Sequence, residues 1–563
     1  MDYEILLLNI ARNASERALH FQECLGQHLI ASYISKFGFR ARVYSGDVLD
    51  CKDVISHEIH WHHVKIVGFY AGADTASMVG NIIRWLKRTE DVIAIVGGPE
   101  AYALGERFLR GTRCDYVIPG EGEIPVLNLL RFVVDGVGDR RQIKSLRFID
   151  ENGTYNSTPL EELIMDLDSL PFPAYENSLN KRFRRGESMG ILTGRGCPYH
   201  CGFCFEGAAS KTVRLRSMKN VIAEIENVRK HNDLLRCVNV YDDTFTLDKS
   251  RVLEFCGYMK REKLLWSCEG HVLRLFHHLD MIEEMVDSGL IAMQIGIESG
   301  SQKVLDAYEK NTTPKMIKEV VKRCKQAGLL TLEGNYIIGG ALESRETIEE
   351  SIRHAKELIE LGHGMLELST VFFSPYYGTP ITREPEKYEM KIEESWKEHT
   401  VITMQDAVVS TWNLSATQIA KAKQQFDEEL KLKYYEEARK CNRDDLFRGA
   451  GRHNRKLRIN QNWCAAWDSY PFIKEFTRHM SREEQSCGIH KYPIRTIGGY
   501  WLEGDRFVAQ EIELVGLEKD AILLADGRKT IDEICKQLGV DCDRMVDVYL
   551  HLNDRCLVYF SEF

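Results

Sequence analysis

The first 150 residues alternate between short apolar runs and stretches with helical spacing. EILLLNI (4–10), RARVYS (40–45), VKIVGFY (64–70), VIAIVGG (92–98) and CDYVIPG (114–120) are strand candidates, and HLIASYISKFG (28–38) and TASMVGNIIRWLKR (75–88) are helix candidates. Short apolar strands alternating with helices predict a parallel, doubly wound sheet. Ligands of such sheets sit at the carboxyl ends of the strands. Those ends read GFYAGADT, VGGPEA and IPGEGE, and small residues let a bulky ligand approach the backbone.

DLDSLPFPAYE (166–176), with prolines and turn residues, marks a linker, which is set at 151–185. A second strand–helix run follows over 186–385. GILTGRG (190–196), CVNVYDD (237–243), LLWSCEG (264–270), AMQIGIESG (292–300), LTLEGNYIIGG (330–340) and LELSTVFFSP (366–375) are strand-like, separated by helical patterns such as SMKNVIAEIENVRKH. About six such units predict a partial (β/α)6 barrel of the TIM type, with its site at the carboxyl ends of the strands. The pattern from 386 to 500 turns to charged helix with aromatic clusters such as QNWCAAWDSYPF (461–472), and no chemistry is assigned to it. Residues 501–563 form a small C-terminal domain, in which 522–560 read as a helical unit ending in a strand. The expected fold class is α/β: a Rossmann-like sheet, a partial barrel and a mainly helical C-terminal region.

Composition changes this picture little. A chain of 563 residues is too long for one core. The net charge of −10 gives no basic face for a nucleic acid, and KRFRR (181–185) and RGAGRHNRKLR (448–458) read as solvated loop charge. No apolar run has the length of a membrane span, and MDYEILLLNIARN reads as a first strand, not a signal peptide. Sixteen cysteines without a secretion signal argue for a reducing, cytoplasmic setting. Most of them, such as Cys24, Cys237 and Cys324, lie in apolar segments as buried thiols.

Three cysteines stand apart. Cys197, Cys201 and Cys204 fall within CPYHCGFC, directly after the strand GILTGRG, and so in the loop above the first barrel strand. A structural zinc site needs four ligands. Three close cysteines without an obvious fourth fit a [4Fe–4S] cluster with one iron left open to a small molecule. Zinc completed by a distant fourth ligand is the alternative.

The spacing Cys-x-x-x-Cys-x-aromatic-Cys, with Phe203 in the aromatic slot, resembles that of the radical S-adenosylmethionine (SAM) superfamily. The resemblance implies that the open iron binds SAM, that SAM splits into methionine and a 5′-deoxyadenosyl radical, and that this radical abstracts hydrogen from an unactivated carbon. It continues through VYDDTFTLD (240–248), where Asp242 and Asp243 approach the methionyl end of SAM. GIESGSQKVL (296–305) contributes Gly296, Glu298 and Ser299. YIIGGALES (336–344) contributes Ile338 and Gly339 near the adenine, and FFSPYYGTPI (372–381) closes the set. Relatives often carry Pro-Gly-Glu where this chain has Ala341-Leu342-Glu343. Tyr336 is a candidate catalytic contact, with packing as the alternative.

In front of such a barrel, GFYAGADTASM (68–78), VGGPEA (96–101) and VIPGEGEIPV (117–126) resemble the loops of the cobalamin-binding, flavodoxin-like domain of B12-dependent radical SAM enzymes. The implied cobalamin residues are Gly72, Asp74, Thr75, Gly98, Pro99, Glu100, Gly120, Glu121 and Gly122. An empty sheet is the alternative. NIARNASE follows the first strand without a histidine, so the expectation is base-off cobalamin with no histidine lower ligand, and the histidines of SHEIHWHH (56–63) are left to surface or packing roles. LLADGRKTIDEICKQLG (523–539) resembles the small recognition domain with which peptide-modifying relatives hold a leader peptide as an added strand; a helical cap on the barrel is the alternative. The implied activity is methyl transfer from methylcobalamin to a carbon activated by the adenosyl radical, on a ribosomal peptide, with an external electron donor as partner and neither nucleic acid nor membrane. Ring closure (for example a cyclopropane) or oxidation by the same cofactors, and a non-catalytic cobalamin and iron–sulfur sensor, are the rival readings.

Overall fold

The structure is a computed structural model that describes residues 2–11, 24–72, 75–179, 188–205, 212–232, 235–393, 407–441, 445–446, 461–470, 473–474, 487–496, 500–509 and 512–561. It divides into two units: Met1–Val320 with Asn335–Ser351 and Thr370–Gln425, and Val321–Gly334 with Ile352–Ser369 and Phe426–Phe563. The basic stretches 181–185 and 448–458 lie outside the described residues.

In the first unit, β1 (Ile5–Ala11), β2 (Ala41–Asp47), β3 (Ile66–Tyr70), β4 (Ile93–Gly97), β5 (Tyr116–Val117), β6 (Arg147–Ile149) and β7 (Tyr155–Ser157) form one sheet in the order β2-β1-β3-β4-β5-β6-β7. The first five pair in parallel, in the flavodoxin-like order, with the reversal of direction between β1 and β3. Both faces are covered, as the fully apolar strands require. Leu6 and Leu8 of β1 pack with Val67, Phe69, Ile82 and Ile83. Ile5 and Leu7 pack on the other side with Ala31, Ile34, Val126 and Leu130.

β6 and β7 add an antiparallel edge, so the sheet runs on to Ser157. Their turn is Asn152-Gly153, with Gly153 at φ 79° and Asp150 accepting from the Asn152 and Thr154 amides. Asn-Gly between apolar runs is a hairpin signal that the sequence reading passed over.

The barrel strands are β8 (Ser188–Ile191), β11 (Cys237–Val240), β12 (Leu265–Gly270), β13 (Leu290–Glu298), β14 (Thr331–Ile338) and β15 (Leu366–Phe372), adjacent in that order. β8, β11, β12 and β13 pair in parallel. Intervening helices begin at side-chain caps: Ser217 accepts from the Asn220 amide, and Asp248 accepts from the Ser250 and Arg251 amides. A short antiparallel ladder, β9 (Gly194–Arg195) with β10 (Arg214–Leu215), flanks the cysteine loop. Farther on, β16 (Met390–Ile392) and β17 (Val409–Thr411) pair within the segment expected to be helical.

In the second unit the aromatic cluster forms the helix Gln461–Asp468. Trp463 and Trp467 are fully buried, and the Trp463 indole donates to the Leu366 carbonyl at 2.8 Å. The C-terminal part carries more strand than its pattern suggests. β18 (Tyr492–Arg495) pairs antiparallel with β22 (Val558–Ser561). β19 (Trp501–Glu503), β20 (Arg506–Ala509) and β21 (Ile512–Val515) form an antiparallel sheet. The β19–β20 turn is Gly504-Asp505, a two-residue hairpin signal. Helices Gly516–Leu524, Ile531–Leu538 and Cys542–Asp554 follow, around a core that includes Phe507, Leu514, Ile522, Ile534 and Tyr549. Among the described residues no helix is long and apolar enough to cross a membrane.

Gly98, at the end of β4, has φ 102°, and a Cβ there would stand 2.6 Å from the Ala71 carbonyl oxygen. Gly98→Ala is expected to destabilise the chain by about 2 kcal/mol or more, read as a lower urea midpoint at unchanged slope.

Candidate functional site

The cysteine loop is tied down at two places. Before it, Asp242 at the top of β11 accepts from the Thr193 amide at 2.6 Å and from the Thr193 hydroxyl. Asp243 accepts from the Gly196 amide at 2.9 Å, and the Thr244 hydroxyl lies 3.5 Å from the Cys197 sulfur. Burial pushes the Asp242 carboxyl up to about 6, against the pull of the Thr193 bonds. The structure thus occupies both aspartates, expected near SAM, in holding the approach to Cys197. Within the loop, between the second and third thiols, the Gly202 amide donates to the Tyr308 carbonyl at 2.9 Å and the Ile381 amide to the Gly202 carbonyl at 3.2 Å. A single helical turn closes from the Cys204 amide to the Cys201 carbonyl, at 3.0 Å.

Beside the thiols lies a buried ion pair. Lys310 donates to the Glu298 carboxylate at 2.8 Å, and each side chain is 9% exposed. Burial works against the Lys310 charge, but Glu298 and the neighbouring Cys201 hold its pKa above the usual value. Burial pushes the Cys201 thiol up to about 11, against the pull of Lys310. Gly296 makes this pair possible: a Cβ there would lie 2.1 Å from the Glu298 carboxylate and 2.4 Å from the Lys310 nitrogen. Lys310 also sits 5.8 Å above the Phe203 ring, which meets Tyr308 edge-on at 4.9 Å. Lys310 was not found from the sequence, where nothing marks one lysine among many.

The turn after β14 is equally tight. The Glu343 carboxylate accepts from the Gly339 and Gly340 amides, and burial pushes it up to about 7. Leu342 has φ 55°, the left-handed conformation a glycine would adopt without strain, so Ala-Leu-Glu makes this turn with a non-glycine residue in its left-handed position. The Ser299 hydroxyl lies 3.1 Å from that of Ser351 and accepts from the Ser301 amide, shaping the turn after β13. Ile338 and Tyr336 are buried inside the barrel wall.

The donor set fits an iron–sulfur cluster better than zinc. Sulfurs on a tetrahedral zinc stand about 3.8 Å apart, given a Zn–S bond of about 2.3 Å. Among the described residues, the group with all ligand atoms within 4.8 Å of one another is His363, Cys441 and Asp445, not the three loop thiols. That group is taken up by ion pairs, with Lys325 2.7 Å from Asp445 and Glu437 3.3 Å from His363. Three cysteines in one short loop suit one sulfur on each of three irons.

A cavity of about 490 Å³, in the range of cofactor sites, opens between the sheet's strand ends and the cysteine loop. Gly98, Pro99, Gly120, Glu121 and Gly122 line it from the sheet; Arg195, Gly196, Phe205 and Asp243 line it from the barrel. Phe205, next to Cys204, meets Tyr102 of the sheet edge-on at 6.0 Å. Arg195 pairs with Glu121 at 3.0 Å and Glu123 at 2.7 Å, while Arg214 pairs with Glu121 and donates to the Ile164 carbonyl at 3.0 Å. Burial opposes the Glu121 charge, but the two guanidiniums hold its carboxyl below the usual range. Gly72 and Thr75 bond to each other at 3.0 Å rather than lining the cavity, and Glu100 is buried beside it with its carboxyl pushed up to about 7 by burial. Asp74, and the segment after β1 where a cobalt-ligating histidine would stand, lie outside the described residues.

A six-stranded partial barrel topped by three such thiols defines a radical SAM protein, and residues 191–355 match the model of the radical SAM superfamily. The chain is 30% identical over 340 residues to an uncharacterized methyltransferase of Pyrococcus horikoshii, covering 59% of this chain and 71% of that protein. It is 28% identical over 276 residues to the anaerobic magnesium-protoporphyrin IX monomethyl ester cyclase of Rubrivivax gelatinosus, covering 47% and 49%. The methyltransferase TsrM from Kitasatospora setae, solved with cobalamin and a [4Fe–4S] cluster, shares the fold at a TM-score of 0.58 and 16% identity, over 70% of this chain and 81% of that one. OxsB, solved with aqua-cobalamin and SAM, does so at 0.57 and 14% over 99% and 79%. The chain belongs to the radical SAM methyltransferase family and is an enzyme of that type.

Two outcomes test the site. The raised Glu343 pKa makes the folded state lose stability as pH climbs from about 4.5 towards about 7. Glu343→Gln is expected to flatten that slope in urea midpoints measured from pH 5 to pH 8. Arg214→Met leaves Glu121 with one partner, and is expected to cost about 3 kcal/mol in the same assay.

Proposed function

We propose that the enzyme methylates an unactivated carbon of a ribosomally made peptide, using SAM at the barrel mouth and base-off cobalamin in the 490 Å³ cavity. The observation that carries this reading is the cavity's lining: the sheet's glycine-rich strand ends and the residues flanking the cysteines border one space. Bound in place, the cluster and SAM supply a 5′-deoxyadenosyl radical, methylcobalamin supplies the methyl group, and an external donor supplies electrons. The chain's own work is positional. Asp242 and Asp243 fix the loop that presents Cys197. Glu298 and Lys310 offer a carboxylate and an ammonium beside the thiols to the polar groups of SAM. Gly98 and Gly120 leave room for a flat macrocycle close to the backbone, and the Arg195 and Arg214 ion pairs hold the sheet to the barrel across it.

The peptide reading is supported by the C-terminal unit. Its small sheet has β19 and β21 at its two edges, and strand addition at a free edge is how extended peptides are held. Tyr500 and Leu502 are exposed beside β19, and the Thr530–Glu533 capping box fixes the start of the second helix. The cyclase among the relatives favours ring closure as the second reading.

The test is the product. Enzyme reconstituted with iron, sulfide and methylcobalamin, then reduced with SAM and substrate, is expected to yield 5′-deoxyadenosine and a product in which one C–H has become C–CH3, heavier by CH2. A product lighter by two hydrogens would instead establish cyclisation or oxidation. Cys201→Ala is expected to lose the cluster and all SAM cleavage while still binding cobalamin. Cleavage by that variant would defeat the site assignment.

A further inference from the structure

His271 follows the last residue of β12 and opens the helix Val272–His277. Its ring lies flat on Tyr199, centroids 3.7 Å apart and planes 12° from parallel. Tyr199 stands inside the cysteine motif, between Cys197 and Cys201, so the imidazole is one ring's thickness from the cluster loop. The Leu273 amide donates to its Nδ1 at 3.3 Å, and its own amide donates to the Thr246 hydroxyl at 3.1 Å. Nδ1 is therefore an acceptor, and in the neutral ring the proton sits on Nε2.

That Nε2–H has no partner. The residue is 7% exposed, and its Nε2 is among the buried atoms without a hydrogen bond. A buried donor left unmade costs about 1–3 kcal/mol, so such atoms in a packed site mark a missing acceptor. The charged groups that face the ring are Lys310 and Arg274, and with burial they push its pKa down to about 3, which keeps it neutral. Neither offers an acceptor. Lys310 is committed to Glu298, and Arg274 donates to the Leu247 carbonyl. A group bound at the thiols, beyond the stacked Tyr199 ring, can supply an acceptor.

We infer that His271 donates its Nε2–H to an anionic acceptor of the bound cluster–SAM assembly, either a cluster sulfur or the SAM carboxylate, and so tunes or orients the cofactor pair. The inference rests on the three-cysteine cluster site and on no particular substrate. A hydrogen bond to cluster sulfur raises the reduction potential by stabilising the more negative, reduced state. A bond to the carboxylate tightens SAM.

Two substitutions separate the cap from the donor. In His271→Asn the short amide still caps the helix but does not reach the Nε2 position. In His271→Gln the longer amide places an N–H near that position. Both are reconstituted in the full-length protein, and iron content, the electron paramagnetic resonance spectrum of the reduced cluster with and without SAM, its midpoint potential and SAM affinity are measured. His271→Asn is expected to hold wild-type iron and to change one of the last two properties. A lowered potential without SAM identifies the sulfur, while SAM binding weaker by about tenfold at an unchanged potential identifies the carboxylate. His271→Gln restores the changed property in part. If His271→Asn matches the wild type in potential, spectrum and SAM affinity, the inference is overturned and the imidazole is a helix cap. Wild-type protein that takes up no cluster would instead overturn the cluster site itself.

Discussion

The bonds from Asp242 and Asp243 to the backbone ahead of Cys197 are the constraint on which the barrel mouth depends. Fixing each loop residue costs about 1–2 kcal/mol of conformational entropy, and a run of cysteines, glycines and a proline has no ladder of its own to offset that. The neighbouring strand ends supply the fixing instead. β11 holds the loop before the first thiol, and the segments after β13 and β15 hold it through Tyr308 and Ile381 between the second and third. The thiols are set by parts of the barrel far apart in sequence.

Charge is handled by the same economy. Buried thiols resist ionisation, as the raised Cys201 shows, and iron has to take the proton's place when a cluster assembles. Lys310 sits where that negative charge accumulates and is itself kept charged by Glu298. Across the cavity, two arginines of the barrel meet two glutamates of the sheet, so charge-assisted bonds join the cavity's rim beside the Phe205–Tyr102 contact.

Much of this was legible in the chain. A parallel, doubly wound sheet follows from apolar runs alternating with helices, and the cysteine loop announces itself because its spacing is local. Even Ala-Leu-Glu holds its turn, with Leu342 accepting a conformation suited to glycine. Contacts between residues far apart in the chain left no trace. Lys310 stands 12 residues from Glu298, Arg214 stands 93 from Glu121, and His271 faces a tyrosine of the cysteine motif. No spacing rule links such pairs. The two hairpins, at Asn152-Gly153 and Gly504-Asp505, were readable from their turn residues, but weak alternation in the short flanking strands hid them. Asp242 and Asp243 were placed in the right neighbourhood, yet whether a carboxylate there faces a ligand or a backbone amide is decided by the fold of the strand beside it.

Phe205 closes the chain of dependence. It follows the third cysteine directly, and its ring braces Tyr102 in the wall of the 490 Å³ cavity. The peptide that carries the three thiols thus also supplies part of the cavity's wall, one residue past the last of them.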